Sequence, residues 1–255
     1  MEDVNTVFID NHIKNVKAVF IDCDGVLYPP EACTDEEIAV KGLNAALAEY
    51  KIPRDELDQA RADLKKKKIR GMFNAVRVLC ERRGIPFNEF AKLMASKIDY
   101  SHIPEDAELL DLLRNVGKVM PVYIVTNNTR PHLEKVFSCL RGGRVCQDTQ
   151  NDLNIKFISI EETSENGIFH SKKMEGQWTA LCRRVSKEIR RPLKPENFLV
   201  LDDSQSILDE AVDQNLSIYA IQHPRDTKEM LRRLLEKSKN ERCLSLRKTC
   251  DRTGD

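Results

Sequence analysis

The chain has 255 residues, 41% hydrophobic and 32% charged, and its 41 Lys and Arg cancel its 41 Asp and Glu to a net charge of zero. At about 150 residues per domain, that composition describes a globular protein with one large domain, or a core carrying a small insert. Collagen-like, disordered and membrane-spanning classes are excluded, since no apolar run reaches ~18 to 20 residues, and the charge balance gives no pull towards nucleic acid or anionic lipid.

The first residues, MEDVNTVFIDNHIKN, are acidic and lack a basic-then-apolar leader pattern, so a cytoplasmic location is expected. Eight cysteines (Cys23, Cys33, Cys80, Cys139, Cys146, Cys182, Cys243 and Cys250) include no C-x-x-C pair. Their scatter argues against a structural zinc site and for reduced thiols in a cytosol-like compartment.

In chain order, VFID at 7–10 reads as a chance echo of VFID at 19–22, or as an edge strand. VKAVFID at 16–22 is the first clear strand. From 33 to 104 there is only helical pattern, broken by Pro53, Gly71, Gly84 and Pro86. An insert of roughly 70 residues is too long for a βα connection and must pack as a unit, a cap domain. Its middle is basic: residues 51–84 hold eleven Lys or Arg and five Asp or Glu, a balance of +6. Lys65, Lys66, Lys67 and Lys68 would point right around a helix axis. They read as a solvated helix end, with a phosphate-attracting rim as the alternative. Next come a helix at 105–117, the strand VMPVYIVT at 119–126 and a helix at 130–141. A weaker strand at 155–162, a helix at 173–190 and the strand NFLVLDD at 197–203 follow. A helix at 204–214, the strand LSIYAIQ at 216–222 and a helix at 225–238 complete the pattern. The strong strands are almost wholly apolar, as expected when both faces are covered. The alternation predicts an α/β fold with a Rossmann-like parallel sheet. The expected boundaries are a core of 1–32 and 105–239, a cap of 33–104 and a flexible tail of 240–255.

In such sheets function collects at the carboxyl ends of the strands. Those ends read Asp22-Cys23-Asp24-Gly25, Thr126-Asn127-Asn128 and Asp202-Asp203-Ser204. Carboxylates converging from two strands repel unless a cation lies between them. Sparse oxygen ligands suit Mg²⁺, which keeps open positions for a phosphate. Asp22 and Asp24 are spaced so that one attacks while the other exchanges protons. Crowding by Asp22 predicts a raised pKa for Asp24. Thr126 offers a hydroxyl and a free backbone N–H for a phosphate oxygen, and Lys172 or Lys173 can neutralise developing charge. Strand alternation points Cys23 away from both aspartates, as a small buried hydrophobe. His102, His132, His170 and His223 show no metal-ligand spacing. Singly, each feature is a turn, a helix cap or a solvated charge; their joint order makes the signal.

VFIDCDGVLY, IVTNN, Lys172 and VLDDS together resemble the four motifs of the haloacid dehalogenase superfamily of phosphohydrolases, over about 16–222. Within it, Tyr28, Arg70-Gly71, the segment IDYSHIPEDAELLDLLRNV and His132 are similar to the pyrimidine 5′-nucleotidase-like group. The resemblance implies Asp22 as nucleophile forming an aspartyl-phosphate, and Asp24 as proton donor and then base. It implies Thr126, Asn127 and Lys172 as the phosphate holders. Mg²⁺ would be held by Asp22, the Asp24 backbone carbonyl and Asp203, with Asp202 beside it. The family places an aromatic six residues after its lysine, as Trp178 follows Lys172, although Lys173 stands where proline is usual. Dehalogenases lack the second acid and ion-pumping ATPases carry threonine there, so Asp24 favours a phosphatase or phosphomutase.

The expected activity is therefore phosphomonoester hydrolysis, on a nucleotide or other small metabolite, with a phosphoprotein as the alternative substrate. A glycosyltransferase reading of D-x-D leaves Thr126, Lys172 and the second acidic pair unexplained. A receiver-type switch has its acidic pair first along the chain, the reverse of the order here. A catalytically retired binding protein is the remaining alternative.

Overall fold

A computed structural model of the chain describes residues 13–34, 36–69, 71–144, 148–165 and 168–250. VFID at 7–10, Arg70 and Cys146 lie outside the described residues. Five parallel strands form the central sheet: β1 (Ala18–Ile21), β2 (Val122–Val125), β3 (Lys156–Ile158), β6 (Phe198–Asp202) and β7 (Ser217–Ala220), ordered β3-β2-β1-β6-β7. A two-stranded antiparallel hairpin, β4 (Ser164–Glu165) and β5 (Ile168–Phe169), sits apart and was not legible as strand in the sequence.

Strand alternation sorts the apolar residues onto two faces. Val19, Ile21, Val122, Ile124, Leu199 and Leu201 enter one apolar cluster. Ala18, Phe20, Tyr123, Val125, Phe198 and Val200 enter the other, where Phe20 stacks on Phe198 at 5.2 Å and meets Trp178 at 5.5 Å. Both faces are covered by helices, which is why these strands carry almost no polar residue.

The interval after β1 is helical, as expected. A π-helical turn (Glu36–Gly42) runs into helix Leu43–Glu49, followed by helices Arg54–Lys66, Met72–Arg83 and Phe87–Ser96. Leu57, Ala60 and Leu64 recur on one helical face and are buried with Val76, Leu79 and Cys80. Arg82 and Arg83 reach across to Asp63 and Glu56. The insert shares its apolar cluster with the sheet rather than closing a separate one. It also docks on the hairpin, where the buried Asn74 side chain donates to the Phe169 carbonyl at 3.0 Å and accepts from the Phe169 N–H at 2.8 Å. Phe87 packs edge-on against Phe169 at 4.9 Å.

The lysine run does not wind around a helix. The helix ends at Lys66, and Lys68 turns left-handed at φ 61. All four lysines are exposed beside the negative end of the helix dipole. None of them lines the cavity at Asp22, which leaves the solvated-end reading. At the other end of the chain, helix Pro224–Cys250 passes the expected stop near 238. Met230, Leu231 and Leu234 anchor its first half, and the expected tail contains no Gly or Pro before Cys250 to break the helix.

Candidate active site

The sheet register brings the motifs together. Ile21 pairs with Leu201 and Ile124, so the residues just beyond β1, β2 and β6 emerge side by side. β1 is also where the strand order reverses, since the chain passes to β2 and β3 on one side and to β6 and β7 on the other. Such a switch point opens a crevice. The cavity there has a volume of about 390 Å³ and is lined by Asp22, Asp24, Thr126, Asn127, Lys172 and Asp203 among others.

Lys172 is 2% exposed and bridges Asp22 Oδ1 and Asp202 Oδ2, each at 2.7 Å. Lys173 is exposed at the cavity rim. The geometry selects Lys172, whose backbone N–H is held by Asn127 Oδ1 at 2.9 Å. Burial pulls the Lys172 ammonium down, but Asp202 and Asp22 outweigh it and hold it above its ordinary value.

Asp22, Asp202 and Asp203 place carboxylate oxygens within 4.8 Å of one another. Burial raises the Asp22 carboxyl well above the usual range; Lys172 opposes this, while Asp202 and Asp24 add to it. Asp203 is raised by burial and then by Asp202. One ammonium does not balance three carboxylates, and a hard divalent cation would. A Cβ at Gly25 (φ +75) would fall 2.2 Å from Asp203 Oδ2, so only glycine leaves this carboxylate its place. The donor set fits Mg²⁺, with Asp202 grouped with Asp22 and Asp203.

Asp24 departs from expectation. Its Oδ1 accepts from Tyr28 Oη and meets His132 Nε2 at 2.8 Å. Its Oδ2 accepts from Asn128 Nδ2 at 2.8 Å and Thr126 Oγ1 at 3.3 Å. Burial alone would raise this carboxyl, but the His132 imidazole and the bonds from His132, Tyr28 and Asn128 outweigh it. Asp24 is held well below the usual carboxylate range, and the expected rise from Asp22 is overridden.

Two further expectations are corrected. The Thr126 N–H is not free, since it donates to the Ile158 carbonyl at 3.0 Å. β2 and β3 are neighbours, and this bond closes their last pair, Val125 with Ile158. Cys23 is buried in the core, but its Sγ lies within 4.8 Å of the Asp24 carboxylate and His132. β1 ends at Ile21, so strand alternation does not extend through Asp22-Cys23-Asp24.

Sequence reasoning gave Asn128 and Tyr100 no role. His132 is fully buried and is tied to Tyr100 Oη through Nδ1 at 3.0 Å. His132 was among the residues that carry the family resemblance, and it lies on the first turn of helix Arg130–Leu140. His102 and His223 are exposed and His170 is half-buried, none of them joined to this network by a hydrogen bond.

The open parallel sheet, with acidic residues at the ends of β1 and β6, a buried lysine between them and helices inserted after β1, is an α/β fold with a charged crevice at its switch point. The chain matches the haloacid dehalogenase-like hydrolases over residues 16–211 and belongs to that family. No curated protein matches its sequence. Similar solved structures include UTR4 of Saccharomyces cerevisiae, 13% identical, with 80% of this chain and 89% of that one covered at a TM-score of 0.44. CbbY of Rhodobacter sphaeroides, in complex with phosphate, is 15% identical, with 80% and 84% covered and a TM-score of 0.47. YfnB of Bacillus subtilis, bound to magnesium, is 15% identical, with 85% and 99% covered and a TM-score of 0.47.

Proposed function

We propose that this hydrolase is a Mg²⁺-dependent phosphatase that cleaves phosphomonoesters through an aspartyl-phosphate on Asp22. The observation that carries the reading is the buried Asp22–Lys172–Asp202 bridge beside Asp203, a nucleophile held next to a cation-seeking carboxylate set. The cavity of about 390 Å³ suits a small phosphorylated metabolite such as a nucleotide. A phosphorylated side chain of a protein would meet the same chemistry. Among the described residues no helix is long and apolar enough to cross a membrane. With a net charge of zero, the chain is assigned neither a nucleic-acid nor a membrane partner. The free thiols of Cys23, Cys80, Cys139 and Cys182 support action in the cytoplasm.

Asp22, Asp202 and Asp203 would hold Mg²⁺, together with the Asp24 carbonyl that the family resemblance implies. The ion supplies positive charge that relieves their repulsion and offsets charge on the phosphoryl group. Asp22 Oδ1 accepts from Lys172 and from the Cys23 N–H, so Oδ2 is the oxygen assigned to attack. The Asp22 oxygen–phosphorus bond forms as the ester bond breaks, and the leaving oxygen takes a proton from Asp24. Water then attacks phosphorus, gives a proton to Asp24 and regenerates Asp22. The donors around Asp24 favour its ionised form, ready for the second step. An arriving phosphate dianion competes for Thr126 and adds negative charge, which raises Asp24 towards the protonated form of the first.

The test is phosphate release from nucleoside monophosphates, sugar phosphates and phosphopeptides, with Mg²⁺ and with chelator. Asp22→Asn is expected to lower turnover by at least about 10³-fold, and chelator to abolish it. Undiminished release by Asp22→Asn would sink the mechanism.

A further inference from the structure

The phosphatase reading needs Asp24 to present one chosen oxygen to the leaving group, and the residues around it make that choice. Oδ1 is taken by Tyr28 and His132. Oδ2 faces Thr126 and Asn128, the side on which a phosphate would sit. Asn128 accommodates either state of Oδ2, since a side-chain amide can donate to a carboxylate or, turned over, accept from a carboxylic acid. The partners at Oδ1 are enclosed: His132 is fully buried, Tyr28 is 1% exposed and Tyr100 behind His132 is 7% exposed.

We infer that Tyr100 is a positioning residue: through the buried ring of His132 it pins Asp24 Oδ1 and leaves Oδ2 as the oxygen that works on the substrate. An ionised carboxylate only accepts, so His132 Nε2 must carry a hydrogen to bond Asp24 at 2.8 Å. The Tyr100 hydroxyl lies 3.0 Å from Nδ1, a hydrogen bond that fixes the ring from its far side. Tyr100 thereby holds the ring orientation that meets Asp24, without touching the substrate itself. It also lies where the chain leaves the helical insert, after helix Phe87–Ser96, while Tyr28 lies where the chain enters it. Tyr28 thus meets the acid directly and Tyr100 meets it through His132, from the two segments that join the insert to the sheet. Asp24 is aimed by the insert's attachment as well as by its own loop.

This inference rests on the phosphatase reading, and one leaving-group comparison separates the two. The Mg²⁺-loaded enzyme is assayed on p-nitrophenyl phosphate, whose leaving group departs without protonation, and on glycerol phosphate, whose leaving group needs an acid. Asp24→Asn serves as the reference for complete loss of that acid. Tyr100→Phe is expected to lower kcat on glycerol phosphate about tenfold, a part of the 10²–10⁴-fold that acid–base catalysis supplies. On p-nitrophenyl phosphate the change is expected to stay within about twofold, with KM unchanged for both. His132→Gln carries an amide N–H towards Asp24 without the ring that Tyr100 holds, so adding Tyr100→Phe to it should cost nothing further. If Tyr100→Phe alone does not fold, that insensitivity is replaced by the His132→Ala variant, read for the same split between leaving groups. Equal losses on both substrates, or an undiminished rate on glycerol phosphate, overturn the positioning role. A wild type that turns over neither substrate overturns the phosphatase reading beneath it.

Discussion

Asp22 and Asp24 are two residues apart, yet they inhabit opposite surroundings. Asp22 joins Asp202 and Asp203 around one lysine, and burial with neighbouring negative charge raises its carboxyl. Asp24 is half-buried, and Tyr28, His132, Asn128 and Thr126 surround it with hydrogen-bond donors that hold its carboxyl down. Burial disfavours charge in both places, and the partners decide the sign. Carboxyl groups whose environments push their pKa values apart are suited to different tasks. Here the first is crowded by other carboxylates and the second is surrounded by donors.

The largest effect on this contrast should come from Lys172→Met. It strips the cation from Asp22 and Asp202 together and should cost about 3–5 kcal/mol of stability. Urea unfolding at neutral pH without metal measures it, and added Mg²⁺ should return part of the loss. A cost near zero would mean that the lysine does not compensate these carboxylates.

The paired substitutions Asp22→Asn and Asp24→Asn should then move stability in opposite directions. Without metal, Asp22→Asn removes a disfavoured buried charge and should leave the melting temperature unchanged or higher. Asp24→Asn takes the ionised acceptor from its donors and should cost about 1–3 kcal/mol. The pH dependence has opposite signs as well. An unfolded aspartate titrates at about 3.9. Asp24 is lower when folded, so its stabilisation is present above that value and is lost as pH falls towards the folded one. Asp22 is higher when folded, so its advantage as the protonated form is present below that value and is lost as pH rises. The Asp24→Asn deficit should shrink below about pH 4, whereas any Asp22→Asn gain should grow above it. Deficits of the same sign and pH trend would break the comparison.

A further measurement tests the cation site alone. Mg²⁺ at a hundredfold excess over its dissociation constant should stabilise the wild type by about 2.7 kcal/mol. Gly25→Ala drives a methyl group into Asp203 at a left-handed backbone position, and should remove most of that Mg²⁺-dependent rise in a thermal melt. An undiminished rise would place the ion elsewhere.

Much of this site was legible because it is written in short strings at strand ends. Unbroken apolar runs such as VKAVFID and NFLVLDD can be satisfied only by strands covered on both faces, and the residues after them must emerge at one edge of the sheet. That reasoning located Asp22, Thr126, Asp202 and Asp203. The helical insert was legible from length and punctuation. The hairpin of Ser164–Glu165 and Ile168–Phe169 was not, because its paired segments are two residues each and gain their partners from Asn74 and Phe87, far away in the chain.

The sequence by itself determined the parallel sheet, the position of the insert and the ends at which chemistry gathers, since periodicity and residue type are local properties. Tertiary structure alone decided the state of each group gathered there. Lys172 was buried between two carboxylates, and the Thr126 N–H was claimed by β3. Asp24 was turned from an expected raised acid into a held carboxylate by Tyr28, Asn128 and His132, with Tyr100 behind. Electrostatic shifts depend on distance in space and on the loss of water, and neither is written in the order of residues along a chain.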